Sequence, residues 1–356
     1  MTIPVTIPAE MTAVVLPGFG GPEVLTTGRL PVPEPQAGEV LVRVRAVSVG
    51  RTLDLATRAG RRPFANAVRL PHLLGADHVG EVVAVGAEVR EVSPGERVAV
   101  FPVLSCGRCA ACDQGLQERC GGLELLGVHR PGAYAQFCAV PQSAVARVPE
   151  GISDRQACAL ALNGAVAHRQ LEVADVGAGD WLLVPAAGGA LGSAVVAMAV
   201  HRGVRVIAGT RRPWKHDRLL QLGAELVLDT SDAEFAAQVV AATGGAGVYA
   251  VVDNVVDAPV WRDLGQVLAT GGTVVCSGAL DDARIELDLR AMYLRSQSIR
   301  TVRTARTADV EATWKEVVTG LRVPVDEARF TLTSAVEAHR RLESDDSFGR
   351  VVLTVE

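Results

Sequence analysis

The stretch Asp180 to Gly192 (DWLLVPAAGGALG) constrains the fold more than any other part of the chain. An apolar run of strand length passes directly into a glycine-rich turn, and Ser193 to His201 continues as a helix. Such a turn bends the backbone sharply, lets a ligand approach it closely, and allows the helix to pack on the strand. Gly188, Gly189 and Gly192 stand where those three demands fall, with the N–H of Leu191 nearby. The start of the helix offers free N–H groups and a positive dipole end, which suit the phosphates of a dinucleotide. A glycine pattern alone is weak, but here it follows a strand and opens a helix inside a longer alternation.

That alternation runs on through strands at Val204 to Ala208, Leu226 to Leu228, Tyr249 to Asp253 and Thr273 to Cys276, with a helix at Lys215 to Leu222. Strand-helix-strand spacing of this kind predicts a parallel sheet covered on both faces. Before Pro149 the character differs. Glu39 to Val47 alternates apolar and charged residues as a half-buried strand does, and Val79 to Val85 and Glu96 to Val100 are similar. Ala157 to Leu171 suits one helix. Toward the end, a helix near Asp309 to Gly320 precedes a strand, Arg350 to Val355, which is expected to rejoin the first domain. The predicted class is therefore α/β, with a β-rich domain from residues 1–160 and 304–356 and a doubly wound domain from 161–303.

The end of the second strand of the doubly wound domain selects the nucleotide. It reads Ala208-Gly209-Thr210-Arg211-Arg212-Pro213-Trp214-Lys215. An NAD site commonly carries Asp or Glu there for the ribose hydroxyls, and cations replace the acid where a 2′-phosphate must be held. Thr210 stands in the acid's place, and Arg211, Arg212 and Lys215 are the cations. Arg grips phosphate bidentately, so NADPH is expected over NADH. The competing reading is that these are solvated surface arginines in a chain that uses Arg almost exclusively over Lys.

Cys106, Cys109, Cys112 and Cys120 are separated by two, two and seven residues. Four thiolates at that spacing can surround one Zn²⁺, and a closed shell of four protein ligands makes the ion structural. The lobe they define covers about residues 104–122. Cys138, Cys158 and Cys276 read as small buried apolar residues. A net charge of -5 and 4% aromatic residues argue against nucleic-acid or anionic-membrane partners. Met1 to Glu10 lacks a charged segment leading into an apolar one, and no uncharged apolar run approaches roughly 20 residues. A cytoplasmic enzyme acting on a small molecule is expected.

Several further motifs carry a resemblance. They are Gly75-x-Asp77-x-x-Gly80 with Val85-Gly86, the four-cysteine lobe, Gly132-Ala133-Tyr134-Ala135, Ala186 to Gly192, Leu222-Gly223-Ala224, Asp253-Asn254-Val255 and the closing Phe348 to Val352. Together they resemble the medium-chain dehydrogenases/reductases, the superfamily of zinc-containing alcohol dehydrogenases and quinone reductases. The resemblance implies a GroES-like catalytic domain, a Rossmann domain, and a homodimer or homotetramer. It also implies that Arg51 reaches the pyrophosphate, that Asn254, Val255, Ser277 and Gly278 end strands on the nicotinamide side, and that Thr52 matches a proton-relay hydroxyl. For Thr52 a turn-capping hydroxyl is the competing reading. Asp54 is read as supporting the site from behind or capping a helix, and Tyr134 as a packed residue.

The chain departs from the family at the catalytic zinc. The three ligand positions align with Gly50, Ala76 and Leu162, none of which has a ligating side-chain atom, and the loop around Leu53 is one residue longer than the usual pattern. His72 and His78 are read as packing or surface histidines rather than as parts of a rebuilt metal site. Without a Lewis acid, an isolated carbonyl is hard to reduce, whereas a quinone or conjugated enone spreads its charge to an oxygen that hydrogen bonds can steady. The primary expectation is thus an NADPH-dependent quinone or α,β-unsaturated carbonyl (enoyl) reductase. The alternatives are an alcohol dehydrogenase or carbonyl reductase, and an NADPH-binding protein with little turnover.

Overall fold

The Glu39–Val49 strand organises the first part of the molecule because three neighbours pair with it, all antiparallel: His78–Val85, Phe137–Pro141 and Val351–Thr354. That pairing explains why the strand is buried along most of its length rather than on one face. Arg43 lies opposite Glu81 in the register, and both Arg43 and Arg45 pair with the Glu81 carboxylate, at 2.9 and 2.6 Å. The Val351–Thr354 strand brings the end of the chain back to this sheet, as the sequence predicts. The structure is a computed structural model that describes residues 6–256, 258–278 and 284–356. Of the stretch Met1 to Glu10 considered above, Met1 to Val5 lie outside the described residues.

The chain divides into two compact units, one of Met1–Leu162 with Val325–Glu356 and one of Asn163–Pro324. The first is the β-rich unit, built on the seven-stranded sheet just described and a three-stranded sheet of Thr26–Pro31, Glu10–Leu16 and His72–Leu73. The second holds six parallel strands in the spatial order Leu226–Leu228, Arg205–Gly209, Trp181–Val184, Val248–Asp253, Leu268–Cys276, Ser298–Thr301. In chain order that is 3-2-1-4-5-6, the doubly wound Rossmann arrangement. Its centre is apolar on both faces, with Leu183, Ile207, Val251 and Val274 fully buried on one and Leu182, Val206, Ala250 and Val275 on the other. The order reverses between Trp181–Val184 and Val248–Asp253, and the crevice beyond the carboxyl ends at such a reversal is where open α/β sheets bind ligands.

Three details differ from the sequence reading. The helix expected over Ala157 to Leu171 is two, Asp154–Ala161 and Asn163–Ala174, with the break at Leu162, where the chain passes from one unit to the other. Asn163-Gly164, directly after Leu162, is the local mark of the break, a pair that favours turns. Residues 304–324, placed by sequence with the first domain, belong to the second unit. There the Thr307–Val318 helix is tied in by His168 Nδ1 to Asp309 at 3.1 Å and Arg202 Nη2 to Glu316 at 2.6 Å. Finally, the helix after the glycine turn starts at Ala190 rather than Ser193, so Leu191 and Gly192 form part of its first turn. No helix among the described residues is long and apolar enough to cross a membrane.

Candidate functional site

The glycine turn of the second unit uses its three glycines differently. A Cβ on Gly192 would lie 2.1 Å from the Ala186 carbonyl oxygen, so this glycine is needed for the helix to pack against the strand exit. At Gly189 the nearest atom to a Cβ is 3.7 Å away, and the residue is exposed. Gly189 is the N-cap and has no side chain to satisfy the first-turn donors, so the N–H groups of Ala190, Leu191 and Gly192 have no helical partner. At Gly188 a Cβ would meet Lys215 Cδ at 2.5 Å. The Lys215 stem therefore lies over the turn; the residue is buried, and its Nζ sits 5.1 Å from the centre of the Trp214 ring. Lys215 thus lies on the glycine turn itself and not in an open row with Arg211 and Arg212, which are exposed.

Thr210 is buried. Its N–H donates to Leu228 O at 2.9 Å, and its Oγ1 accepts from the Arg212 N–H at 3.2 Å. Sequence reasoning passed over Asp229 at the end of the adjacent strand. Hydrogen bonds from Ser231 hold its carboxyl below the usual range, and the Arg211 guanidinium adds to this. The residue after Leu226–Leu228 was the available signal.

On the other side of the reversal, Asp253 organises the exit of its strand. Its Oδ1 accepts from Val255 N at 2.9 Å and Val256 N at 3.1 Å, and its Oδ2 accepts from Trp261 Nε1 at 2.6 Å. Ser277 N donates to Asp253 O at 3.0 Å, and a Cβ on Gly278 (φ 87°) would lie 3.2 Å from Asn254 O. Asn254, Ser277 and Gly278 are therefore neighbours at two adjacent strand ends, with Val255 beside them and half exposed. Gln170, fully buried, donates its Nε2 to Asn254 Oδ1 at 2.5 Å. Sequence reasoning missed it; the signal was an amide in the middle of the Asn163–Ala174 helix.

In the first unit the four sulfur atoms of Cys106, Cys109, Cys112 and Cys120 lie within 4.8 Å of one another, and Cys109 Sγ is 3.5 Å from Cys112 Sγ. Zn–S bonds of about 2.3 Å in a tetrahedron need sulfurs roughly 3.8 Å apart, so this set fits one Zn²⁺ with no vacant position. No other group of three or more His, Cys, Asp or Glu converges this way among the described residues. Burial pushes the Cys138 thiol up to about 12 and that of Cys158 well above its ordinary value. Cys276, expected to be buried, is half-buried at the end of its strand.

The segment aligned with the family's first zinc ligand is a π-helical turn, Arg51–Leu55, closed by Leu55 N donating to Gly50 O at 3.0 Å. A π turn accommodates one extra residue, which accounts for the longer loop at Leu53. Arg51 and Thr52 are exposed on it, with the Arg51 guanidinium donating to Leu342 O. Asp54 points inward, and desolvation raises its carboxyl to about 7. Beneath the turn, Asp77 Oδ1 accepts from Ser48 Oγ and Arg350 Nη2, both at 2.5 Å, and all three residues are buried. Ala76 is buried, and burial lowers the neighbouring His78 to about 4 and depresses His72, so both rings are neutral and packed.

Tyr134 is fully buried, with its Oη 2.9 Å from His339 Nε2. Arg58 Nη1 lies 3.0 Å from His339 Nδ1. Because guanidinium only donates, Nδ1 must accept, and Nε2 carries the proton and donates to Tyr134. Desolvation pushes His339 down to about 3, in keeping with a neutral ring.

Comparison with known proteins matches residues 36–150 to an alcohol dehydrogenase GroES-like domain and residues 190–319 to a zinc-binding dehydrogenase domain. An alcohol dehydrogenase of Schizosaccharomyces pombe is 27% identical over 350 residues, covering 98% of this chain and 99% of that protein. One from Rhizobium meliloti is 30% identical over 303 residues, covering 85% of this chain and 86% of that one. The crystal structure of an NAD-dependent alcohol dehydrogenase superposes with a TM-score of 0.90 at 35% identity, covering 97% of this chain and 100% of the other.

Proposed function

This chain belongs to the medium-chain dehydrogenase/reductase superfamily of oxidoreductases, and from that premise we propose that it reduces a quinone or an α,β-unsaturated carbonyl compound with NADPH and without a catalytic metal ion. The carrying observation is the identity of Gly50, Ala76 and Leu162. Zinc requires sulfur, nitrogen or oxygen donors, and the side chains at the three aligned positions supply none. Zn²⁺ is assigned to the four-cysteine lobe alone, where it holds the loop and has no open position for substrate.

NADPH, when bound, supplies the hydride. The N–H groups at the start of the Ala190–His201 helix and the ammonium of Lys215 bind the pyrophosphate. Arg211 and Arg212 hold the 2′-phosphate, and the buried Thr210 takes the place of the acid that would repel it. Asn254, Val255, Ser277 and Gly278 border the nicotinamide, with Gln170 fixing the Asn254 amide. The exposed Thr52 hydroxyl would be the hydrogen-bond donor to a substrate oxygen that gains charge on reduction. A homodimer or homotetramer in the cytoplasm belongs to the same reading.

A second reading is alcohol oxidation or carbonyl reduction, favoured by the alcohol dehydrogenase names of the relatives. The two separate in a panel of quinones, enones, aldehydes and alcohols assayed with each nucleotide. The proposal predicts NADPH oxidation with quinones or enones and little with alcohols and NAD⁺. Turnover confined to alcohols and simple aldehydes would establish the second reading.

A further inference from the structure

Two backbone segments are joined by one side chain of the turn that carries the exposed Thr52. The Asp54 carboxylate, 1% exposed, accepts the Gly50 N–H through Oδ2 at 2.7 Å and the Gly75 N–H through Oδ1 at 2.9 Å. Gly50 leaves the Glu39–Val49 strand and starts the π turn, whereas Gly75 lies between His72–Leu73 and His78–Val85. The bridge thus fixes the turn, from its own interior, to a distant segment.

That second segment is itself held. Gly75 has φ 95°, and a Cβ there would lie 2.5 Å from Tyr134 Cδ1, so it is pressed against a side chain anchored to His339. The same His339 bonds Arg58, on the Ala56–Arg58 helix that continues the π turn, and Arg58 Nε donates to Gly20 O at 3.1 Å. The turn is therefore gripped at its middle by Asp54 and beyond its end by Arg58. A π turn is rare and persists where its surroundings enforce it. The two N–H donors bond to different oxygens, which a carboxylate supplies and an amide, with a single oxygen, does not. A carboxylate is a costly group to bury for packing alone, and desolvation raising it to about 7 reflects that cost.

We infer that Asp54 is the positioning residue of the reduction site: by bridging Gly50 and Gly75 it locks the π turn and so sets the direction of the Thr52 hydroxyl. The inference rests on the reading of Thr52 as hydrogen-bond donor to the reduced substrate. The test compares Asp54→Asn, Thr52→Ala and the double variant in the full chain, by hydrogen-exchange mass spectrometry of the segment 48–58 and by steady-state kinetics with the best acceptor.

In Asp54→Asn, exchange in that segment is expected to quicken about tenfold and kcat to fall about tenfold, with KM and the NADPH dissociation constant within about threefold. The double variant should be no slower than Thr52→Ala, because Asp54 acts through Thr52. Unchanged exchange in Asp54→Asn, or a loss of kcat that is fully additive with Thr52→Ala, would overturn the inference. If Thr52→Ala keeps full kcat, the donor reading of Thr52 fails, and with it the catalytic half of the inference, while the bridge is decided by the exchange result. Should Asp54→Asn not fold, Gly50→Ala serves, since its methyl would press on Asp54 Oδ2 at 3.2 Å and should produce the same pattern more mildly.

Discussion

Replacing Gly192 and Gly189 by alanine, one at a time, separates packing from ligand binding within a single turn. At Gly192 the added methyl would sit 2.1 Å from a backbone carbonyl, that of Ala186, which cannot swing aside as a side chain would. Overpacking of this kind costs about 1–3 kcal/mol, and the clash falls toward the upper end. Alanine's better helix propensity returns about 1 kcal/mol. The net loss is about 2 kcal/mol, which for a unit of this size lowers the melting temperature by about 4–8 °C. At Gly189 the methyl meets nothing closer than 3.7 Å, and the backbone there is extended, so melting should move by less than about 2 °C. If the pyrophosphate lies against this turn, however, that methyl occupies its approach. The NADPH dissociation constant of Gly189→Ala should then rise more than about tenfold, or about 1.4 kcal/mol. Differential scanning fluorimetry and fluorescence titration of NADPH read the two effects. The reasoning is refuted if Gly189→Ala binds NADPH like the unaltered chain, or if Gly192→Ala melts at the same temperature.

Other outcomes follow from the same geometry. Arg211→Ala with Arg212→Ala should lower the preference for NADPH over NADH at least about tenfold, measured as the ratio of kcat/KM values, because a charge-assisted phosphate contact contributes about 1.5–3 kcal/mol. His339, about 3 when folded against an ordinary 6.5, contributes stability that is present above pH 6.5 and lost as pH falls toward 3. His78, at about 4, acts in the same direction. Urea unfolding as a function of pH should show this fall, and His339→Gln should flatten it. Arg350→Leu strands the buried Asp77 carboxylate and should cost about 3–5 kcal/mol of stability in denaturant titration. Cys112→Ser should release zinc and speed proteolysis in the lobe, leaving NADPH titration unchanged.

What could be read from the sequence was whatever depends on neighbours along the chain. The strand-to-glycine-turn passage at Asp180 to Gly192 and the spacing of the four cysteines are local patterns, and the sheet order and the converging sulfurs match them. The extra residue near Leu53 was visible as a length, but only the i→i−5 bond from Leu55 to Gly50 explains how it is absorbed. What escaped depends on distant partners. Residues 304–324 join the second unit through Asp309 and Glu316, whose partners His168 and Arg202 lie more than a hundred positions away. Gln170 gains meaning only from Asn254, and His339 only from Tyr134 and Arg58. Lys215 looked like one more cation in a basic run, yet its buried stem covers Gly188.

The central claim, reduction by NADPH with no metal ligand at Gly50, Ala76 or Leu162, is tested most directly by counting metal ions in a sample whose turnover is measured at the same time. One zinc per chain, with quinone or enone reduction by NADPH undiminished when no further divalent ion is supplied, is the predicted result. A second ion per chain, bound in proportion to activity and lost together with it, would contradict the account.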